Sequence, residues 1–155
     1  MSTRKVLWIF VAAAIVAGAF VPIKSLSCPV WDVWVTDQSG HPVSGLTVRL
    51  SYQNYSAERE SHETNAITDT QGHATFSPQT VSASLGRRIV AILSSALAGA
   101  HASFGAHASV FAFGKGLQGF AIDQRRNVIL DWTGRPDHME SRIVVAPANA
   151  ILPTR

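Results

Sequence analysis

The chain has 155 residues, room for one domain and an N-terminal appendage, with 13 Lys+Arg against 10 Asp+Glu and a formal net charge of +3. Three of the basic residues, Arg4, Lys5 and Lys24, precede Cys28, so the remainder balances at 10 against 10. The overall excess is therefore no evidence for nucleic acid, which would need a basic face on the domain itself and is not expected as a partner. A single cysteine excludes an intrachain disulfide, leaving stability to burial.

The chain opens on Arg4 and Lys5, then runs uncharged through "VLWIFVAAAIVAGAFVPI", Val6 to Ile23. A basic start ahead of such a run is the pattern of a secretory signal or a membrane anchor. The basic end stays cytoplasmic and sends the rest outward, which predicts an extracytoplasmic location, periplasmic or secreted. Three fates are open: cleavage after Ala19 in "AGA", cleavage before Cys28 with lipidation of that cysteine, or retention as an anchor over residues 6–23. The expected organisation is a leader or anchor over 1–27, a domain over 28–147 and a loose tail over 148–155. Membrane contact is expected through the N-terminal segment alone.

From Trp31 onward the dominant period is two. Trp31, Val33 and Val35 alternate with Asp32, Trp34 and Thr36, and Leu46, Val48, Leu50 and Tyr52 alternate with Thr47, Arg49 and Ser51. The turn cluster "QSGHPVSG" divides these two runs. "HATF", "HASVFAF", "NVILDW" and "RIVVA" continue the pattern, and with Thr64–Thr68 they make about seven short strands. A mainly β chain folded as one antiparallel β-sandwich is predicted. No internal repeat is evident. In "SLGRRIVAILSSALAGA" the period changes, with Ile89, Ile92, Leu93, Ala96 and Leu97 on one helical face. This predicts an inserted helix around 86–98, capped by Ser84 and stopped near Gly99, lying against or between the sheets.

The pair "VTDQSGHPVSGLTVRL" and "TDTQGHATF" resembles the carboxypeptidase regulatory-like family, a transthyretin/prealbumin-type β-sandwich often found in bacterial envelope proteins. Its pattern is V-x-D-x-x-G-x-P-V-x-G-x-x-V-x-L followed by T-D-x-x-G-x-(A/F)-x-F. Asp37, Gly40, Pro42, Val43, Gly45, Val48 and Leu50 match the first part, and Thr68, Asp69, Gly72, Ala74 and Phe76 the second. The match covers about Trp31 to Pro78. It implies a transthyretin/Ig-like fold in which Asp37, Gly40, Pro42, Gly45, Asp69 and Gly72 shape turns.

Motifs for chemistry are sparse. His41, His62, His73, His101, His107 and His138 show no i, i+4 pair of a helical zinc site. His101 and His107 bracket "ASFGA" and are the one candidate metal centre. "DTQG" lacks the further acidic residues of a calcium loop, and no G-x-S-x-G occurs. Trp34 and Trp132 are candidates for an aromatic platform that would take a glycan, and Lys115 is the sole candidate for a lysine–asparagine cross-link. The expectation is an exported, non-catalytic binding or structural module of the cell envelope, without cofactor, whose partner is an envelope protein or glycan. The alternatives are a carbohydrate-binding module built on an exposed tryptophan and a metal-dependent enzyme with a His101/His107 centre.

Overall fold

A computed structural model describes residues 3–97, 99 and 103–150. Helix α1 (Thr3–Ala19) leads into β1 (Pro22–Cys28), β2 (Val30–Thr36), β3 (Thr47–Asn54), β4 (His62–Ile67), β5 (His73–Phe76) and β6 (Gln79–Ser84). Helix α2 (Leu85–Ala96) follows, then β7 (Ala106–Gly114), β8 (Leu117–Phe120), β9 (Ile122–Asp123), β10 (Val128–Ile129), β11 (His138–Val144) and β12 (Ala146–Pro147). The chain is mainly β, as its period predicts. The strands form a five-stranded sheet of order β12-β8-β7-β3-β4, a three-stranded sheet of order β11-β2-β5, and two pairs, β1-β6 and β10-β9.

Two features depart from the expected seven antiparallel strands. Short strands such as β9, β10 and β12, two residues each, are too brief to show an alternation. And β11 runs parallel to β2, from His138 beside Val30 to Val144 beside Thr36. Alternation places side chains on faces but is blind to strand direction, because both senses share the same period.

The inward positions of both larger sheets meet in one hydrophobic cluster. Trp31, Val33 and Val35 of β2, Ala74 and Phe76 of β5 and Ile143 of β11 join Val48 and Leu50 of β3 and Val110 and Ala112 of β7. Each large side chain buried there contributes about 1.5–3 kcal/mol. The Trp31 indole donates to Ser141 Oγ at 2.9 Å, so its polar edge is satisfied inside the core.

The apolar N-terminal run is divided. It is helical through Ala19, and from Pro22 it becomes β1, whose residues pair antiparallel with β6 from Pro22↔Ser84 to Cys28↔Gln79. The boundary expected at residue 27 therefore falls inside a strand pair. Among the described residues no helix is long and apolar enough to cross a membrane.

Helix α2 starts where expected, with the Ser84 hydroxyl accepting from Arg87 N at 3.3 Å. Its orientation is the reverse of a core helix. Ala91 alone is buried, while Ile89, Ile92, Leu93 and Leu97 are exposed. The other side of the helix is held by polar contacts: Arg88 donates to Ile23 O at 2.8 Å, Ser25 Oγ at 2.7 Å and Ala83 O at 3.3 Å.

Candidate functional site

Two turns of one sequence pattern set up the site. Thr36–His41 reads T-D-x-x-G-H, and so does Thr68–His73. This local recurrence corrects the expectation of no internal repeat. In the first, the Asp37 carboxylate accepts from Ser39 N and His41 N, Asp37 N donates to His41 O, and Gly40 N donates to Asp37 O. In the second, Asp69 accepts from Gln71 N and His73 N, Asp69 N donates to His73 O, and Gly72 N donates to Asp69 O. Gly40 and Gly72 take φ of 84° and 71°, the left-handed corner for which glycine is suited. Both carboxyls are held below their usual range. For Asp37 the leading cause is the His41 backbone hydrogen bond, and for Asp69 that of His73.

The second turn delivers His73 to the outer face of the three-stranded sheet. On that face Asp32 lies across from Thr75 and beside Glu140, and Trp34 lies across from His73 and beside Arg142. His73 Nε2 is 2.9 Å from Asp32 Oδ1, and His138 Nε2 is 3.0 Å from Asp32 Oδ2. The His73 ring lies against the Trp34 indole, with centroids 4.9 Å apart. Glu140 Oε1 is 3.9 Å from His138 Nε2. Burial pushes the Asp32 carboxyl up, but hydrogen bonds from Thr75 and His73 and the charges of His73 and His138 outweigh it. The net direction is downward.

Chemically, an ionised carboxylate only accepts. His73 Nε2, hydrogen-bonded to Asp32, must therefore carry N–H, which leaves its Nδ1 as the acceptor of the neutral ring. The Nδ1 of neither His73 nor His138 has a hydrogen-bond partner among the described residues. A carboxylate that fixes an imidazole's tautomer and steadies its cation is the orienting half of a general-base pair. Here Asp32 is hydrogen-bonded to His73 and also lies 3.0 Å from the His138 imidazole. Beside them a depression of about 280 Å³ is bounded by Trp34, Glu140, Ser141 and Arg142.

The other candidates have different surroundings. His101 lies outside the described residues. His107 Nδ1 faces Asp131 Oδ2 at 2.7 Å and its Nε2 faces Phe104 O at 3.1 Å, so both ring nitrogens are engaged. Trp132 is buried, with its indole donating to Pro136 O at 2.7 Å, and cannot serve as a platform; Trp34 is half-buried. Cys28 is buried, and that burial pushes its thiol up to about 12. Lys115 donates to Ser44 O at 2.7 Å. Pro42 forms a bridge with Thr36, and Gly45 N donates to Thr68 O. No group of three or more His, Cys, Asp or Glu placed to hold a metal ion occurs among the described residues.

Sequence reasoning named Asp32, His73 and His138 only as an outward strand position and two of six histidines, and did not bring them together. The usable signal was the T-D-x-x-G-H recurrence, together with a charged residue at an outward position between Trp31 and Val33. His138 gave no local signal, because parallel pairing brings it to β2 from more than a hundred residues away.

No family model matches the chain, and no curated protein does. Among solved structures, it is similar to 3-chlorocatechol 1,2-dioxygenase from Rhodococcus opacus 1CP, at 16% identity and a TM-score of 0.46. The match covers 83% of this chain and 64% of that one, so this chain spans less than two-thirds of its length. That neighbour is an enzyme, and the expectation of a non-catalytic module that is no enzyme is corrected on this finding. A β-rich chain of this kind gives no ground for excluding catalysis, because function belongs to sites and not to folds. The likeness itself lends this chain no activity or substrate.

Proposed function

We propose that the face formed by Asp32, His73 and His138 is an acid–base site that moves protons on a small polar substrate. The observation that carries this is one carboxylate within 3.0 Å of two imidazoles whose second nitrogens have no partner among the described residues. His73 Nδ1 takes the proton of a water or hydroxyl as it attacks, and Asp32 steadies the resulting imidazolium. The same proton then returns to the leaving group. Trp34 and Arg142 border the depression and supply an apolar wall and a cation for the rest of the substrate.

Around this site we read the chain as a transthyretin-like β-sandwich of the carboxypeptidase regulatory-like kind, its two larger sheets face to face. The joined core and the two signature turns support that reading. We also read it as exported, with an N-terminal apolar helix that serves as signal or anchor. The basic start and the exposed apolar residues Leu7, Trp8, Phe10 and Ile15 support this. At about 1.5 Å per residue the 17 residues of α1 reach roughly 26 Å, close to the hydrocarbon thickness but short of it.

The test uses an activated ester, p-nitrophenyl acetate, as the probe. General acid–base assistance contributes about 10²–10⁴-fold, so the protein should exceed free imidazole at equal concentration by at least about tenfold. Asp32→Asn and His73→Gln should remove that excess, and His41→Gln should keep it. A rate no greater than that of free imidazole, equal in all variants, would reduce the cluster to a structural hydrogen bond.

A further inference from the structure

Helix α2 is docked the wrong way round for a soluble domain. At 100° per residue, Ile89, Ile92, Leu93 and Ala96 form one stripe, and it faces away from the protein. Leu93 is 60% exposed and Leu97 88%. The side turned inward carries the buried Ala91 together with Arg88 and Ser95, and the last two hold the helix through backbone carbonyls and one hydroxyl. A globular helix buries its apolar stripe because that burial is the main source of its stability. This one leaves the stripe uncovered among the described residues.

The surroundings of the stripe say what covers it. A β-carbon built on Gly86, in the first turn of α2, would lie 4.0 Å from the carbonyl oxygen of Ala19, the last residue of α1. Between the two helices Phe20, Val21 and Ile23 are also exposed. The start of α2 therefore lies beside the end of the apolar N-terminal helix. Lys24 and Arg87, both exposed, stand at the same end, since β1 pairs with β6 and β6 leads into α2. Apolar side chains fringed by cations are the composition of a helix lying in a bilayer interface.

We propose that α2 is an interfacial helix that lies on the membrane into which α1 inserts, with Ile89, Ile92, Leu93 and Leu97 entering the headgroup–acyl boundary. This rests on the reading of the N-terminal segment as a membrane anchor. The second contact fixes the orientation of the domain, which a single flexible tether would not do.

The test uses the full chain in vesicles of phosphatidylcholine and phosphatidylglycerol, with an environment-sensitive fluorophore on one introduced cysteine at a time. Cys28 is buried and unreactive, so it stays in place. Leu93→Cys reports on α2, Val11→Cys on α1 and Ser39→Cys on a turn outside both helices. The label at 93 should shift to the blue and be quenched about twofold by nitroxide lipids, as for a face lying about 5–10 Å into the boundary, while the label at 39 is unaffected. If 11 is quenched and 93 stays water-exposed, the interfacial helix is refuted and the anchor stands. If neither is quenched, both fall. A blue shift at 93 without lipid quenching means that protein covers the stripe, and that also overturns the proposal.

Discussion

Thr36–His41 and Thr68–His73 share one six-residue pattern and one set of backbone hydrogen bonds, yet their surroundings divide them. The first turn projects into solvent: a Cβ on Gly40 would meet nothing within 4 Å, and the His41 side chain is 78% exposed. The second is packed against the end of β2. A Cβ on Gly72 would lie 2.4 Å from Val35 O and 3.1 Å from Val43 N, and Gly72 O accepts from Val35 N at 2.8 Å. Thr68, buried, accepts from Leu46 N and donates to Val43 O, both at 2.9 Å. His73 is 30% exposed and reaches Asp32, whereas His41 turns back to its own Asp37 at 3.5 Å. A turn sequence sets the local backbone, and the neighbour it packs on decides whether its histidine becomes part of a site.

The largest effect that separates the turns should come from glycine. Gly40→Ala and Gly72→Ala both carry left-handed strain of about 1–2 kcal/mol, but the second also forces β-carbon onto backbone. Thermal or denaturant melts should show a loss of about 1–2 kcal/mol for Gly40→Ala and about 3–4 kcal/mol for Gly72→Ala. Equal losses would mean that the close approach to Val35 does not exist in solution. Next come the threonines. Thr68→Val leaves Leu46 N and Val43 O without their partner and should cost about 2–3 kcal/mol, against roughly 0.5 kcal/mol or less for Thr36→Val.

Acid sensitivity should be shared by both turns. Asp32, Asp37 and Asp69 all sit below their ordinary value of 3.8 in the folded chain. Their stabilisation is complete above that value and is lost as pH falls through their lower folded values. Asp37→Asn and Asp69→Asn should each flatten this acid limb by a similar, small amount in pH-dependent melts. A difference between them would show that packing reaches the carboxylates as well as the glycines.

Much of the fold was legible. The alternation in "WDVWVTD" and "LTVRLSY" placed Trp31, Val33, Val35, Leu46, Val48 and Leu50 inside, and all are buried. Ser84 was readable as a cap because capping is local chemistry. The helix stripe was readable too, but not its direction, since a sequence states which residues share a face and not what that face meets. The site was hidden for a related reason. Asp32, His73 and His138 come from three strands and meet only through register, of which one pairing is parallel. Asp69 and Gly72 were visible as a corner; that the corner aims His73 was not.

The most direct measurement of the shared-carboxylate claim is a long-range nitrogen–proton NMR spectrum of the histidine rings at neutral pH. His73 should be held as the Nε2–H tautomer, with Nδ1 showing the shift of an unprotonated nitrogen, while His41 averages over its forms. Asp32→Asn should release His73 into the same averaging and leave His41 unchanged. A His73 ring that averages like His41 in the unaltered protein, or one indifferent to Asp32→Asn, would contradict the account.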